Sequence, residues 1–127
     1  MSRLVISTTS APAAVGPYSQ AIKLGNMLYC SGQIGLVPAT GAMVEGGFKA
    51  QVSQAFSNLK AVIEAAGGNV NQSVKLTLFL TDLSQFALVN EMMAATFQQP
   101  YPARSTVGVA SLPKGAEFEV EAIVALP

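Results

Sequence analysis

Two short segments near the C-terminal end hold the side chains best suited to chemistry. Pro102-Ala103-Arg104-Ser105-Thr106-Val107 carries an arginine, and Leu112-Pro113-Lys114-Gly115-Ala116-Glu117-Phe118-Glu119-Val120-Glu121 carries three carboxylates at alternate positions. An arginine presents a planar fork that holds a carboxylate through two charge-assisted bonds, which a lysine cannot reproduce. A glutamate beside it can orient water or move a proton. Both segments read as strands, where successive side chains point to opposite sides. Arg104 and Thr106 then share one face, and Ser105 and Val107 the other. In the second strand Phe118, Val120, Ala122, Val124 and Leu126 share a face, opposite Glu117, Glu119 and Glu121. Were the two strands neighbours, Arg104 would lie close to one of those glutamates. Such a pair is either an anion site beside a water-handling carboxylate or a solvated surface ion pair of little energetic weight. Spacing alone favours the surface pair.

The elements that must position these groups follow from period and punctuation. Leu4 to Ile6 is a short β-prone run, and Thr8 to Gly16 is a loop or extended arm leading to a turn at Gly16-Pro17-Tyr18. Tyr18 is either a core residue with a satisfied hydroxyl or an aromatic lid. Ala21–Leu24 and Met27–Gln33 flank Gly25-Asn26, a hairpin signal. Gly32 marks a bulge or a close approach by another group, and Cys30 reads as a small buried residue. After a loop over Val37–Gly47, apolar residues recur at three and four from Phe48 through Val52, Ala55, Phe56, Leu59, Val62, Ile63 and Ala66. This predicts an amphipathic helix ended by Gly67-Gly68. Val74, Leu76, Leu78 and Leu80 alternate as a strand. Asp82 or Ser84 then caps a second helix with a core stripe of Phe86, Val89, Met93 and Phe97. Asn90 gains little locally in that helix and reads either as a functional contact or, the favoured alternative, as a solvated side chain. Met92 and Met93 read as gap-fillers, not a metal site. Two helices can cover one face of a mixed sheet in an α+β layer, leaving the other face partly apolar and open.

Composition narrows the function classes. The 127 residues suit one domain, 1–127, with 50% hydrophobic and 11% charged residues, against about 25% charged in ordinary domains. No apolar run has membrane-spanning length. So few charges, together with the open sheet face, predict a homo-oligomer. Seven basic and seven acidic residues cancel, and no Lys/Arg cluster offers a footprint for nucleic acid. The absence of histidine removes the commonest metal ligand and neutral-pH acid–base group. A single cysteine allows neither an internal disulfide nor a Cys/His zinc site. The first residues have no signal-peptide core, so a cytoplasmic location is expected.

Several motifs together resemble the RidA family, also known as YjgF or L-PSP, the reactive-intermediate deaminases. They are Ala11-Pro12-Ala13-Ala14-Val15-Gly16-Pro17-Tyr18-Ser19-Gln20, Ser31-Gly32-Gln33-Ile34, Gln54 with Asn58-Leu59, Asp82-Leu83, Pro102-Ala103-Arg104-Ser105, Leu112-Pro113 and Glu119-Val120-Glu121. The resemblance covers almost the whole chain. It implies a chorismate-mutase-like α+β fold, a homotrimer with sites in the clefts between subunits, and no cofactor or metal. It also implies hydrolysis of enamines and imines such as 2-aminoacrylate and 2-aminocrotonate, which escape from pyridoxal-phosphate-dependent dehydratases, to 2-keto acids and ammonia. Carried over, Arg104 is the arginine that holds the substrate carboxylate and Glu119 the glutamate that positions water. Tyr18 lies over the pocket, Ser31 and Gly32 line it, and Asn90 lies near it. Thr106 stands where many deaminase members have cysteine, at a position of main-chain contacts, so substrate preference is open.

Two other readings compete. The family also carries an endoribonuclease L-PSP label for RNA cleavage and translation inhibition, although this chain lacks the histidines and basic track a ribonuclease normally uses. A trimer that only binds small carboxylates would use Arg104 and Glu119 equally well.

Overall fold

The computed structural model describes residues 2–127. Its strands are β1 (Arg3–Ile6), β2 (Ala21–Leu24), β3 (Met27–Gln33), β4 (Ser73–Leu80), β5 (Ala103–Gly108) and β6 (Phe118–Ala125), and its helices are α1 (Phe48–Ala65) and α2 (Phe86–Thr96). The strands form one sheet in the order β1-β2-β3-β6-β4-β5. Every adjacent pair is antiparallel except β4 and β5. A parallel pair needs a crossover, and α2 supplies it. The expected α+β arrangement, two helices on one face of a mixed sheet, is the observed one.

The core lies between that face and α1. Val52, Ala55, Phe56, Leu59, Val62 and Ile63 bury the helix stripe against Leu28, Leu76, Leu78, Phe118, Val120 and Val124. Phe118 is fully buried and meets Phe48 and Phe56 edge-on, with ring centroids 6.2 Å and 5.6 Å away. The helix stops where Gly67 adopts a positive φ of 87° and the Gly67 and Gly68 amides return to the Glu64 and Ile63 carbonyls. A left-handed residue satisfying the last carbonyls is the usual glycine stop.

Three expectations need correction. Val74 is exposed because the β4–β6 register slips between Ser73 and Lys75, so buried alternation begins only at Leu76. Asp82 does not cap α2. Its carboxylate accepts from the Ser84 amide at 2.9 Å, capping a single 3₁₀ turn over Leu83–Gln85 that precedes the helix. Phe86 is partly exposed at the start of α2, and only Val89, Met93 and Phe97 of the expected stripe are buried. On the far side of the sheet Tyr29, Phe79, Glu119, Glu121 and Ile123 face away from both helices.

Phe118→Ala is expected to cost ~3–5 kcal/mol, as for other fully buried aromatics. Urea denaturation measures this; a loss under ~1 kcal/mol would show that the ring is not central to the core.

Candidate functional site: two clefts on opposite faces of one sheet

Arg104 stands on β5 opposite Leu76, so its side chain rises on the helix-covered face, where α2 crosses. Its Nη1 donates to Asn90 Oδ1 at 2.6 Å and to Met93 Sδ at 3.4 Å. The guanidinium carbon lies 5.1 Å from the centre of the Phe86 ring. Phe86, Asn90 and Met93 recur at four and three residues along α2, which is why one helix face meets one arginine. Asn90 is therefore a partner of Arg104, contrary to its local reading as a solvated side chain. All three partners are uncharged. They hold the guanidinium in place and leave its charge unmatched, which suits an incoming anion. The surrounding cleft, about 380 Å³, is lined by Asn90, Met93, Ala94, Tyr101, Pro102 and Arg104. Thr106 follows two positions along the same face, with its Oγ1 buried and without a hydrogen-bond partner among the described residues.

Glu119 belongs to a different cleft. It lies opposite Phe79 on β4, in the strand row that points away from the helices. With Tyr18, Ser31, Gly32, Pro113 and Lys114 it lines a space of about 590 Å³. The β3–β6 register shifts between Cys30 and Gln33, so the bulge expected at Gly32 is present. Its purpose is local: a Cβ on Gly32 would sit 2.8 Å from the Glu119 Cδ and closer still to Oε2. A side chain at this position would push the carboxylate out of its present place. Ser31 Oγ donates to the Ser19 carbonyl at 2.6 Å, tying the cleft wall to the chain that carries Tyr18. The Tyr18 ring is half exposed and its hydroxyl accepts from the Val15 amide at 3.3 Å, so it is not a core residue. Burial, then repulsion from Glu121, pushes the Glu119 carboxyl above its ordinary value.

The two groups do not meet within one chain. β4 separates β5 from β6, and Arg104 and Glu119 project from opposite faces. The ion pair contemplated from spacing is therefore excluded inside a single copy. The chain instead carries the Arg104 cleft on one face of the sheet and the Glu119 cleft on the other. Burial pushes the Cys30 thiol up to about 12, so it offers no thiolate near neutrality. Among the described residues no group of three or more His, Cys, Asp or Glu could hold a metal ion.

The family model described as Endoribonuclease L-PSP matches residues 8–126. A "2-iminobutanoate/2-iminopropanoate deaminase" of Dermatophagoides farinae is 48% identical, over 96% of this chain and 95% of that protein. The chain belongs to the RidA (L-PSP) family. The crystal structure of RidA from the Antarctic bacterium Psychrobacter sp. superposes with a TM-score of 0.94 at 54% identity, covering 97% of this chain and 99% of that one. E. coli TdcF with bound serine superposes at 0.90 with 41% identity, covering 98% and 99%.

In this RidA-family chain, Tyr18, Ser31, Gly32 and Glu119 gather in one cleft, and Asn90, Arg104 and Thr106 on the other face. Sequence reasoning missed Met93 and Phe86 as neighbours of Arg104, because their partner comes from a strand beyond the helix. It also gave no role to the buried amides Gln20, Gln33, Gln51 and Asn58. Gln51 and Asn58 interrupt the apolar face of α1, which was the available signal.

Glu119→Gln tests the electrostatics. A carboxyl whose folded value is raised loses stability as pH climbs from the unfolded value, near 4.3, through the folded one. The variant is therefore expected to melt above wild type at pH 7 and equal to it below about pH 4. An equal melting temperature at both pH values would contradict the assigned strain.

Proposed function

We propose that this chain hydrolyses enamines and imines of the 2-aminoacrylate and 2-aminocrotonate class to 2-keto acids and ammonia. The acting form is a homotrimer in which Arg104 of one copy and Glu119 of the next complete each site. The observation that carries this reading is the separation of two unpaired, chemically complementary groups onto opposite faces of one sheet. The deaminase names of close relatives and the serine-bound E. coli protein support the ligand class, a small amino-acid-derived carboxylate.

The chemistry asks little of the protein. Protonation of the enamine β-carbon by solvent gives the iminium form of the imine, and water adds to its C2 while giving up a proton. The amino nitrogen of the resulting carbinolamine takes up that proton, and the hydroxyl loses its own as the C=O bond forms, the C–N bond breaks and ammonia leaves. Arg104 holds the substrate carboxylate through two parallel bonds, pre-oriented by Asn90, Met93 and Phe86. Glu119 orients the water and takes its proton as the C–O bond forms. Its raised value makes it a stronger base than an ordinary glutamate. Tyr18 covers the cleft, Ser31 and Gly32 form its wall, and Thr106 contributes main-chain contacts. Positioning and modest proton management contribute typically ~10²–10⁴-fold, enough for an already electrophilic carbon without a cofactor. A cytoplasmic location belongs to the same proposal. It agrees with a free buried cysteine and with the absence, among the described residues, of any helix long and apolar enough to cross a membrane.

The family description keeps RNA cleavage as a second reading. One cation in each cleft, Arg104 or Lys114, is a poor track for a polyphosphate chain, and the deaminase reading is preferred.

The test is a coupled assay with a threonine or serine dehydratase, following release of 2-keto acid. Wild type should accelerate it. Arg104→Lys should lower kcat/KM about 10- to 100-fold, the equivalent of one charge-assisted bond, with assembly intact. Arg104→Ala and Glu119→Ala should each be inactive alone and regain activity when mixed subunits reassemble. No acceleration by well-folded wild type would leave carboxylate or RNA binding. Failure of the mixed protein to recover would reject the shared site.

A further inference from the structure

Four polar side chains are deeply buried among the described residues, and all are neutral amides: Gln20, Gln33, Gln51 and Asn58. Three of them hold loops instead of strands. Asn58 Nδ2 donates to the Ile34 carbonyl at 3.0 Å and the Leu36 carbonyl at 2.8 Å. These bonds straddle Gly35, whose missing side chain lets the loop press on α1; a Cβ there would sit 2.8 Å from the Gln51 Cα. Gln51 grips the other loop from both ends of its amide. Its Oε1 accepts from the Glu117 amide at 2.9 Å, and its Nε2 donates to Glu117 Oε2 at 3.2 Å. Gln20 does the same for the N-terminal arm, accepting from the Thr8 amide and donating to the Thr8 and Pro12 carbonyls.

The three held segments converge. Pro12, Ile34 and Leu36 line the Glu119 cleft, and Glu117 precedes Glu119 by two residues. Gln51 and Asn58 do not line that cleft; they sit behind its walls, on α1. A primary amide both donates and accepts, so it can match a loop's carbonyls and amides without burying a charge. A charged clamp here would also perturb a carboxylate already strained by burial.

The geometry points to Gln51 and Asn58 as positioning residues for the hydrolytic step: they fix the cleft walls and the approach of Glu119, and touch no substrate. This inference rests on the deaminase reading of the Glu119 cleft.

Gln51→Met and Asn58→Leu keep volume and remove the bonds. In assembled, cooperatively unfolding protein each should lower kcat at least tenfold. The affinity for 2-oxobutanoate, held by Arg104, should stay within about twofold of wild type. Hydrogen exchange should quicken in residues 33–36 or 116–119 while β4 stays protected. Should either variant fail to fold, Glu117→Ala, which removes one arm of the Gln51 clamp from a half-exposed residue, should lower kcat at least threefold. Wild-type kcat in the folded variants, or unchanged exchange in both segments, would overturn the inference. Inactive wild type would instead reject the deaminase reading, and the exchange measurement would then decide the positioning role alone.

Discussion

The structure depends on where β4 sits. It lies between β6, with which it pairs antiparallel, and the edge strand β5, with which it pairs parallel, and its Leu76, Leu78 and Leu80 are fully buried. Because the side-chain period of a strand is two, this one placement decides which face every neighbouring residue occupies. It aligns Arg104 and Thr106 with the buried leucines and sends Glu119 and Glu121 to the other side. A one-residue slip would exchange the faces, burying glutamates under α1 and turning the arginine outward. The hydrophobic cost of such a slip keeps the chemistry in register.

The two clefts are then built by different means. The arginine is held by side chains from a single helix, all neutral, so its charge remains available. The glutamate is held by backbone: a bulge, a glycine, and loops fastened to α1 by amides. A guanidinium carries its own geometry, and it needs only to be kept from folding away. A carboxylate that must present a particular oxygen to water depends on the shape of its surroundings, and shape is what the loops supply.

Much of this was legible in the sequence. The three-and-four period of α1, the alternation of β6, the Gly25-Asn26 hairpin and the Gly32 bulge are local signals with local causes, and they appear where expected. Strand order is not local. Arg104 and Glu119 lie 15 residues apart on successive strands, and nothing between them tells that β4 intervenes. Asn90 looked idle because its partner arrives from a strand formed later in the chain. Val74 looked buried because alternation alone does not reveal a register slip. The family motifs named the candidate residues, but which of them share a face followed only from the sheet.

The choice of amides over ion pairs for the cleft walls separates how the two halves respond to their medium. Salt screens exposed charges over about 10 Å at 0.1 M, whereas the neutral amide–backbone bonds of Asn58, Gln20 and Gln51 Oε1 are largely indifferent to it; among the clamp bonds only that of Gln51 Nε2 ends on a carboxylate, Glu117. On the proposed deaminase reading, rising ionic strength weakens the grip of Arg104 on a carboxylate but leaves the walls around Glu119 where they were. Capture becomes sensitive to the surrounding electrolyte while the hydrolytic geometry does not. The molecule can lose affinity in a concentrated medium without losing the shape that makes a captured substrate react.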